Sequence, residues 1–393
     1  MSSAVPLLEG IDPYGIQVLR EPASTYGHIR EAGPAVYSPE REVWLVGRYD
    51  SARRVLRDHR EFRSGLGAGY TRVPEHGNNY PLVDSDPPRH TRVRRSVQTE
   101  FGREAMERLR PLVRATAVGL VEAAVAAGQI DAVSLFASPL PDLSTRLLTG
   151  IEPPDSLRMR VWANAVGQLH GPDLDPSEEN LVSQAFDWLS GEGVPALPKH
   201  CMGRRVMEDG GMNGALAESE RLTTLFSLWL AGVDSSNGLI GNVVNAFAEF
   251  PEEWDAVLAD PGLIPNAVEE VLRWDSPLRS VYRRTTVDVD IDGVVVPADA
   301  DVCVLIPPAN RDPRRFADPD RLDISRVDAK AHLALGTSIH LCVGAPLARM
   351  EAIELLTALA RRVRRIERTA PAVRAASQTM SKFESLPVRL VAR

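Results

Sequence analysis

LGTSIHLCVGAPLARMEA, residues 335–352, decides how the rest of this chain is read. It places one cysteine, Cys342, in a tight loop directly ahead of a helix. Gly336 and Gly344 bracket the turn at positions where a side chain would crowd a flat ligand, and Pro346 stands where a first helical turn tolerates a missing N–H. The amides of Val343 and Gly344, with the positive end of the helix behind them, are expected to point at the sulfur and favour thiolate over thiol. A thiolate so placed is a metal ligand or a nucleophile. His340, two residues earlier, adds a donor or a cation to the same rim. Taken alone, the cysteine reads first as a buried inert thiol and second as the nucleophile of a Cys–His hydrolase.

Upstream patterns decide among these. EEVLR sets Glu270 and Arg273 three apart on one helix face, followed by Ser276-Pro277 and by PRRFADPDRLDISR, residues 313–326. Earlier, LAGVDSS, residues 230–236, puts an acid and hydroxyls inside an apolar helical run. In that order, the acid–hydroxyl pair, E-x-x-R, P-x-x-F-x-x-P and G-x-x-x-H-x-C-x-G resemble the motifs of the cytochrome P450 superfamily of haem-thiolate monooxygenases, over nearly the whole chain. Two positions depart from the family's loop: Leu335 stands for the usual Phe and Ser338 for a second Gly, so the ring contact near the sulfur is lost.

The bulk properties agree with a globular enzyme. The 393 residues are 44% hydrophobic and 25% charged, no linker interrupts them, and a large planar cofactor is within their means to bury. A net charge of −8 argues against a nucleic-acid role. Three scattered cysteines, Cys201, Cys303 and Cys342, give no disulfide framework, so a cytoplasmic location is expected. MSSAVPLLEGIDPYG lacks the basic and apolar regions of a signal peptide, and no apolar run is long enough to cross a bilayer of about 30 Å, so no membrane association is expected.

Along the chain, residues 24–32 read as a short helix, 35–46 as a hairpin around Ser38-Pro39, and Asp50 as the N-cap of the next helix. Residues 62–83 are rich in Gly, Asn and Pro and lack a period; a connection of that length is functional or disordered. Asp86-Pro87-Pro88 opens a helix with an acid at its cap, and on that helix His90 and Arg94 share a face and offer two donors to one anionic site. Arg89, Arg92 and Arg95 read as its solvated side. Helical patterning continues over 102–127 and, with breaks, to about Trp188, while 191–214 is poorly periodic. Residues 222–250 form the most sustained helix, with Leu225, Leu228, Trp229, Leu239, Val243, Val244 and Phe247 at helical spacing. Its polar interruption, Asp234-Ser235-Ser236, predicts a local opening that makes a binding notch, or else side chains bonded to the preceding turn. Residues 280–304 alternate like paired strands with a turn at Asp292-Gly293.

The resemblance implies one mainly α domain over residues 1–393 with small β-sheets. Haem b (iron protoporphyrin IX) would lie between the long central helix, 222–250, and the helix after the cysteine loop, 335–344. Cys342 would be the iron ligand; His90, Arg94, His340 and Arg283, or Arg284 one residue on, would hold the propionates. Asp234 and Ser235 occupy the positions that deliver protons to bound oxygen, residues 62–83 match a substrate lid, and Arg326 completes a buried triad with Glu270 and Arg273. The activity implied is a bacterial monooxygenase, reduced by a ferredoxin-type donor with its NAD(P)H-dependent reductase, that uses O2 to hydroxylate or O-demethylate a small organic molecule. An aromatic acid leads, because the later half looks like P450s acting on para-substituted benzoic acids. Leu66 stands where those carry an anchoring arginine, which leaves Arg72 or Arg279 as substitutes. A larger natural-product scaffold, and a haem-thiolate binding or sensing protein without turnover, are the alternatives. The Asp234-Ser235 pair favours turnover, since a binder needs no proton relay.

The same family resemblance suggests where the donor docks. Arg89, Arg92, Arg95, Arg349, Arg361, Arg362, Arg364 and Arg365 are expected to form a positive patch beside the thiolate.

Overall fold

The computed structural model describes residues 5–72, 80–173, 175–211 and 214–393. Its central rod is the helix Glu218–Glu249, of 32 residues, roughly 48 Å long at 1.5 Å per residue. Glu220 Oε2 accepts the Ala217 N–H at 3.1 Å, which satisfies one of the amides a helix start leaves unpaired. From Gly238 to Phe247 every residue is buried, so this is a helix surrounded by protein, with no solvent face along that stretch. The helix expected over 222–250 is thus present, with about one turn more at its start. The opening expected at Asp234-Ser235-Ser236 is absent: the helix is continuous, and Ser235 Oγ donates to the Ala231 carbonyl at 2.8 Å. A hydroxyl bonded to the turn behind it leaves the backbone ladder intact.

Helices Pro139–Thr149, Ser156–Gln168, Met202–Asp209 and Ala345–Arg362 pack around the rod, and Ala345–Arg362 lies in turn along Arg103–Ala127. A five-stranded sheet flanks this bundle in the order Val36–Ser38, Val43–Val46, Asp301–Leu305, Ser280–Thr285, Phe62–Arg63. Only the Val43–Val46 and Asp301–Leu305 pair is parallel. A second sheet joins Gln129–Asp131, Pro387–Ala392 and Val363–Arg368. The hairpin Val289–Ile291 to Val294–Val296 turns through Asp292 and Gly293 at φ 48° and 92°, the doubly positive turn that an Asp-Gly pair favours.

Several local expectations change. Asp50 lies inside the helix Tyr49–Arg57, whose Tyr49 N–H is capped from afar by Asp312 Oδ2 at 2.8 Å. Asp86 does not cap the helix Arg89–Val97 but accepts the N–H groups of Ser64 and Gly65, at 3.0 and 2.8 Å. The expected lid begins within the sheet, at Phe62–Arg63, then brings Ala68, Leu82 and Val83 to a cavity wall; its residues 73–79 lie outside the described ones. The stretch 191–214 contains the end of a π-helical turn, Leu189–Gly193, and the helix Met202–Asp209. Among the described residues no helix is long and apolar enough to cross a membrane.

Candidate active site

Cys342 sits where its loop closes. Its N–H donates to the Leu335 carbonyl at 2.8 Å, and that of Gly336 to Leu333, also at 2.8 Å. Gly336 has φ 71°, and a Cβ there would meet the His340 carbonyl at 3.0 Å, so backbone conformation and space both require glycine. Ser338, where the sequence departs from the family's second glycine, also has a positive φ, 59°. The amides facing the sulfur are those of Gly344 and Ala345, one residue later than expected, because the helix opens at Ala345. Burial pushes the thiol up; those amides and the guanidinium groups of Arg94 and Arg349 pull the other way. Cys342 is enclosed by protein yet presents exposed surface, since it opens onto an internal cavity. Cys303 is instead buried 3.3 Å from the Tyr14 hydroxyl, and Cys201 caps a helix by accepting the Arg204 N–H at 3.3 Å.

Arg94, Arg283 and His340 line the cavity with Cys342. The His340 ring lies 4.3 Å from that of His90, and its Nε2 is 3.2 Å from Ser64 Oγ. Both ring nitrogens of His90 are buried without a hydrogen-bond partner among the described residues. Burial, then the charge of Arg94, lowers His90 to about 4; burial, then Arg283, lowers His340 to about 2; burial brings Arg283 down to about 10. Asp84 and Asp86 approach this cluster, but their oxygens are committed to backbone amides of Ala68 and of Ser64 and Gly65. An anion brought here would relieve cations that are disfavoured by desolvation and by each other. The doubled arginine resolves cleanly: Arg283 faces the cavity, whereas Arg284 pairs with Asp301 and donates to the carbonyls of Gly69 and Tyr70 at 3.1 and 3.0 Å.

The cavity measures about 360 Å³, and its wall is mainly apolar, with Leu82, Leu148, Leu228, Leu239, Val281 and Met380 prominent. Ser235 and Ser236 reach it from the central helix. Asp234 does not. Its carboxylate is ion-paired with the ammonium of Lys382, which also donates to Asn164 Oδ1 at 2.8 Å. Lys382 directly precedes the strand Phe383–Ser385, and sequence reasoning missed it; a lysine in MSKFES, one of three in the chain, was the available signal. Glu351, nine residues after Cys342, was missed as well. It is 1% exposed, and burial raises it to about 7, with the hydroxyls of Ser236 and Ser144 beside it. Periodicity gave it no distinction from the surface glutamates of a helix.

The platform under the loop uses both glutamates of EEVLR. Glu270 and Arg273 are fully buried, joined at 2.7 and 2.8 Å, and Arg326 Nε reaches Glu270 at 3.1 Å. Arg273 also donates to the Asn310 carbonyl at 3.0 Å, and Asn310 Oδ1 accepts the Leu333 N–H at 2.7 Å, just ahead of the cysteine loop. Glu269 faces elsewhere: it takes both arms of Arg349, at 2.6 and 2.9 Å, and lies 3.1 Å from His332.

The loop's outer side borders a second, polar cavity of about 470 Å³, ringed by Arg53, Arg315, Lys330 and Arg349. Leu335, Gly336, Thr337 and Leu341 line both cavities. The expected basic patch is redistributed: Arg89 and Arg92 bind Glu220 at the start of the central helix, Arg362 pairs with Glu122 and Arg365 with Asp255. Arg361, at the end of the cysteine-loop helix remote from Cys342, and Arg364, on the strand Val363–Arg368 that follows, are exposed. Arg53 and Lys330, on the rim of the outer cavity, are exposed and without a partner among the described residues.

A largely helical chain that opens one cysteine onto an apolar cavity, with buried cations beside it, has the layout of a haem-thiolate protein. Residues 258–368 match the family model described as Cytochrome P450. The chain is 38% identical to Cytochrome P450 monooxygenase PikC of Streptomyces venezuelae, over 92% of this chain and 88% of that one. It is 32% identical to Cytochrome p450 CYP199A2 of Rhodopseudomonas palustris, over 99% and 95%. The solved structure of cytochrome P450 CYP109Q5 from Chondromyces apiculatus superposes with a TM-score of 0.84 at 30% identity, covering 98% of both chains. The chain belongs to the cytochrome P450 family. It is a monooxygenase of that family, and its cofactor is haem b. The residues present fit that group: a cysteine sulfur facing the cavity, glycine where the loop needs close approach, and His90 nitrogens that lack the anionic partner propionates would supply.

Proposed function

We propose that this monooxygenase oxidises a mainly apolar organic molecule that carries no carboxylate for the protein to anchor. The observation that carries this reading is the wall of the 360 Å³ cavity, together with the fate of the two substitute arginines. Arg72 is tied to Asp299 and Asp301, at 2.8 and 3.1 Å, and Arg279 donates to the carbonyls of Leu19 and Met380. Neither lines the cavity. An aromatic acid would have to bury its charge against hydrocarbon, at a cost of several kcal/mol, roughly, unless it shed the charge.

In this reading Cys342 holds the haem iron, and His90, Arg94, Arg283 and His340 hold the propionates. Once bound, haem b supplies activation of O2 with two electrons and two protons, the thiolate ligand favouring O–O cleavage. Ser235 places a hydroxyl on the cavity wall; with its hydrogen engaged by Ala231, its oxygen is free to accept a hydrogen bond from water. Asp234, paired with Lys382, is the adjacent acid on the helix. Electrons arrive from a small acidic ferredoxin, itself reduced by an NAD(P)H-dependent reductase, docked on the outer face where Arg53 and Lys330 are unpaired. The free thiols fit a reducing cytoplasm.

The test compares two probes of one shape, 2-acetylnaphthalene and naphthalene-2-carboxylate, by the shift each causes in the haem absorption band. The ketone is expected to bind at least tenfold or so more tightly at neutral pH. Tighter binding of the carboxylate would overturn the reading.

A further inference from the structure

His170 is the one titratable side chain on the wall of the apolar cavity outside the group that faces the haem, namely Arg94, Arg283, His340 and Cys342, among the described residues. It follows the helix Ser156–Gln168 and is fixed from two sides. Tyr80 stacks on its ring at 5.9 Å and 30°, and Tyr80 is itself stacked on Phe226 at 6.3 Å and 6°. On the other side the backbone of Gly69 comes so close that a Cβ there would stand 2.7 Å from the Cα of His170 and 3.1 Å from its Cδ2. The His170 carbonyl also accepts the Tyr70 N–H at 3.0 Å, which ties this segment to the first part of the expected lid. Rotation of the ring is therefore restricted without any hydrogen bond to its nitrogens.

Three of the seven hydroxyls on the same wall are differently placed. Ser227 Oγ donates to the Thr224 carbonyl at 3.0 Å, Ser235 Oγ to Ala231 at 2.8 Å, and Thr379 Oγ1 to Gly167 at 3.0 Å. Each has used its only hydrogen on its own backbone surroundings. No such bond engages either imidazole nitrogen of His170 among the described residues. An imidazole ring always carries at least one N–H donor, and here that donor is held at the lid end of a mainly apolar chamber.

We propose that His170 is the specificity-determining residue of this cavity, donating a hydrogen bond to an uncharged oxygen, a carbonyl or hydroxyl, at the end of the substrate that enters last. This rests on the apolar-substrate reading above and narrows it to an elongated apolar molecule bearing one such oxygen. A fixed polar group adds discrimination because a partner lacking the oxygen leaves it desolvated and unpaired. The substrate's hydrocarbon end is thereby directed toward the Cys342 side.

The experiment uses the haem-loaded protein, the absorption shift, and the pair 2-acetylnaphthalene and 2-ethylnaphthalene, which differ by one oxygen. The parent is expected to favour the ketone by about tenfold. His170→Phe should erase that preference by weakening the ketone alone, and His170→Gln, which keeps a donor, should retain most of it. An intact thiolate band in the reduced carbon-monoxide complex serves as the folding control for each variant. Equal loss of both probes in His170→Phe, or an unchanged preference, would overturn the role of His170 while leaving the apolar-substrate reading in place. If neither hydrocarbon-rich probe shifts the parent's band while naphthalene-2-carboxylate does, the apolar-substrate reading falls, and the role of His170 with it.

Discussion

Ser338 holds a φ of 59° that its side chain disfavours, in a loop where glycine would be at ease. Ser338→Gly is expected to raise stability by about 1 kcal/mol, since relief of the left-handed strain outweighs the added freedom of the unfolded chain. Thermal unfolding of the parent and variant checks this, with the carbon-monoxide band unchanged in position. Glu351 makes a second residue-scale prediction, and its sign follows from linkage. Its folded value of about 7 lies above the 4.5 of an ordinary glutamate, so its contribution is fully present below pH 4.5 and lost as the pH rises through 7. Above that, the buried carboxyl costs on the order of 3 kcal/mol. Glu351→Gln should therefore raise the melting temperature at pH 8 and change it little at pH 5; equal effects at both would show that the carboxyl is not protonated in the fold.

At the scale of elements, the helix Ile264–Trp274 presents two adjacent acids to two different structures, Glu270 inward to Arg273 and Arg326, Glu269 to Arg349 and His332. Removing one member of a buried ion pair strands the other, at a cost of about 3–5 kcal/mol. Glu270→Gln is expected to lower the unfolding free energy by an amount in that range, seen as a lower denaturation midpoint, and to reduce haem retention, whereas a change at the exposed Glu252 does neither. Chemical denaturation followed by absorbance measures both. The long helix, the Asp-Gly hairpin and the triad were legible in the sequence because periodicity, turn chemistry and motif spacing are local or family-wide signals. The continuity of the helix through Asp234 was not, since whether a serine bonds to its own helix or opens it depends on what surrounds it. Lys382 escaped for a related reason: 148 residues separate it from Asp234, and no local pattern encodes that meeting. The arginine clusters misled because the partners that neutralise them, Glu220, Glu122 and Asp255, come from remote elements.

At the scale of the whole molecule, the cations near the cysteine loop that have no partner among the described residues are Arg53 and Lys330, on the rim of the outer cavity. Opposed charges steer encounter, and salt weakens that steering as the Debye length falls to about 8 Å at physiological ionic strength. Arg53→Glu combined with Lys330→Glu is expected to slow reduction by an acidic ferredoxin about tenfold at low salt, with substrate affinity unaltered, whereas Arg92→Glu leaves the rate near that of the parent. Stopped-flow reduction over a salt series checks this; a steep effect at Arg92 instead would move docking to the other side. Between the two cavities stands a single thickness of chain, with Leu335, Gly336, Thr337 and Leu341 touching both. Such a partition behaves as a thin insulator between two compartments. A charge carrier seated in the polar cavity is only one loop away from the sulfur that faces the apolar one. The enzyme can thus be wired from outside without being opened, and a substitution that thickens or loosens those four residues should alter the current before it alters the chemistry.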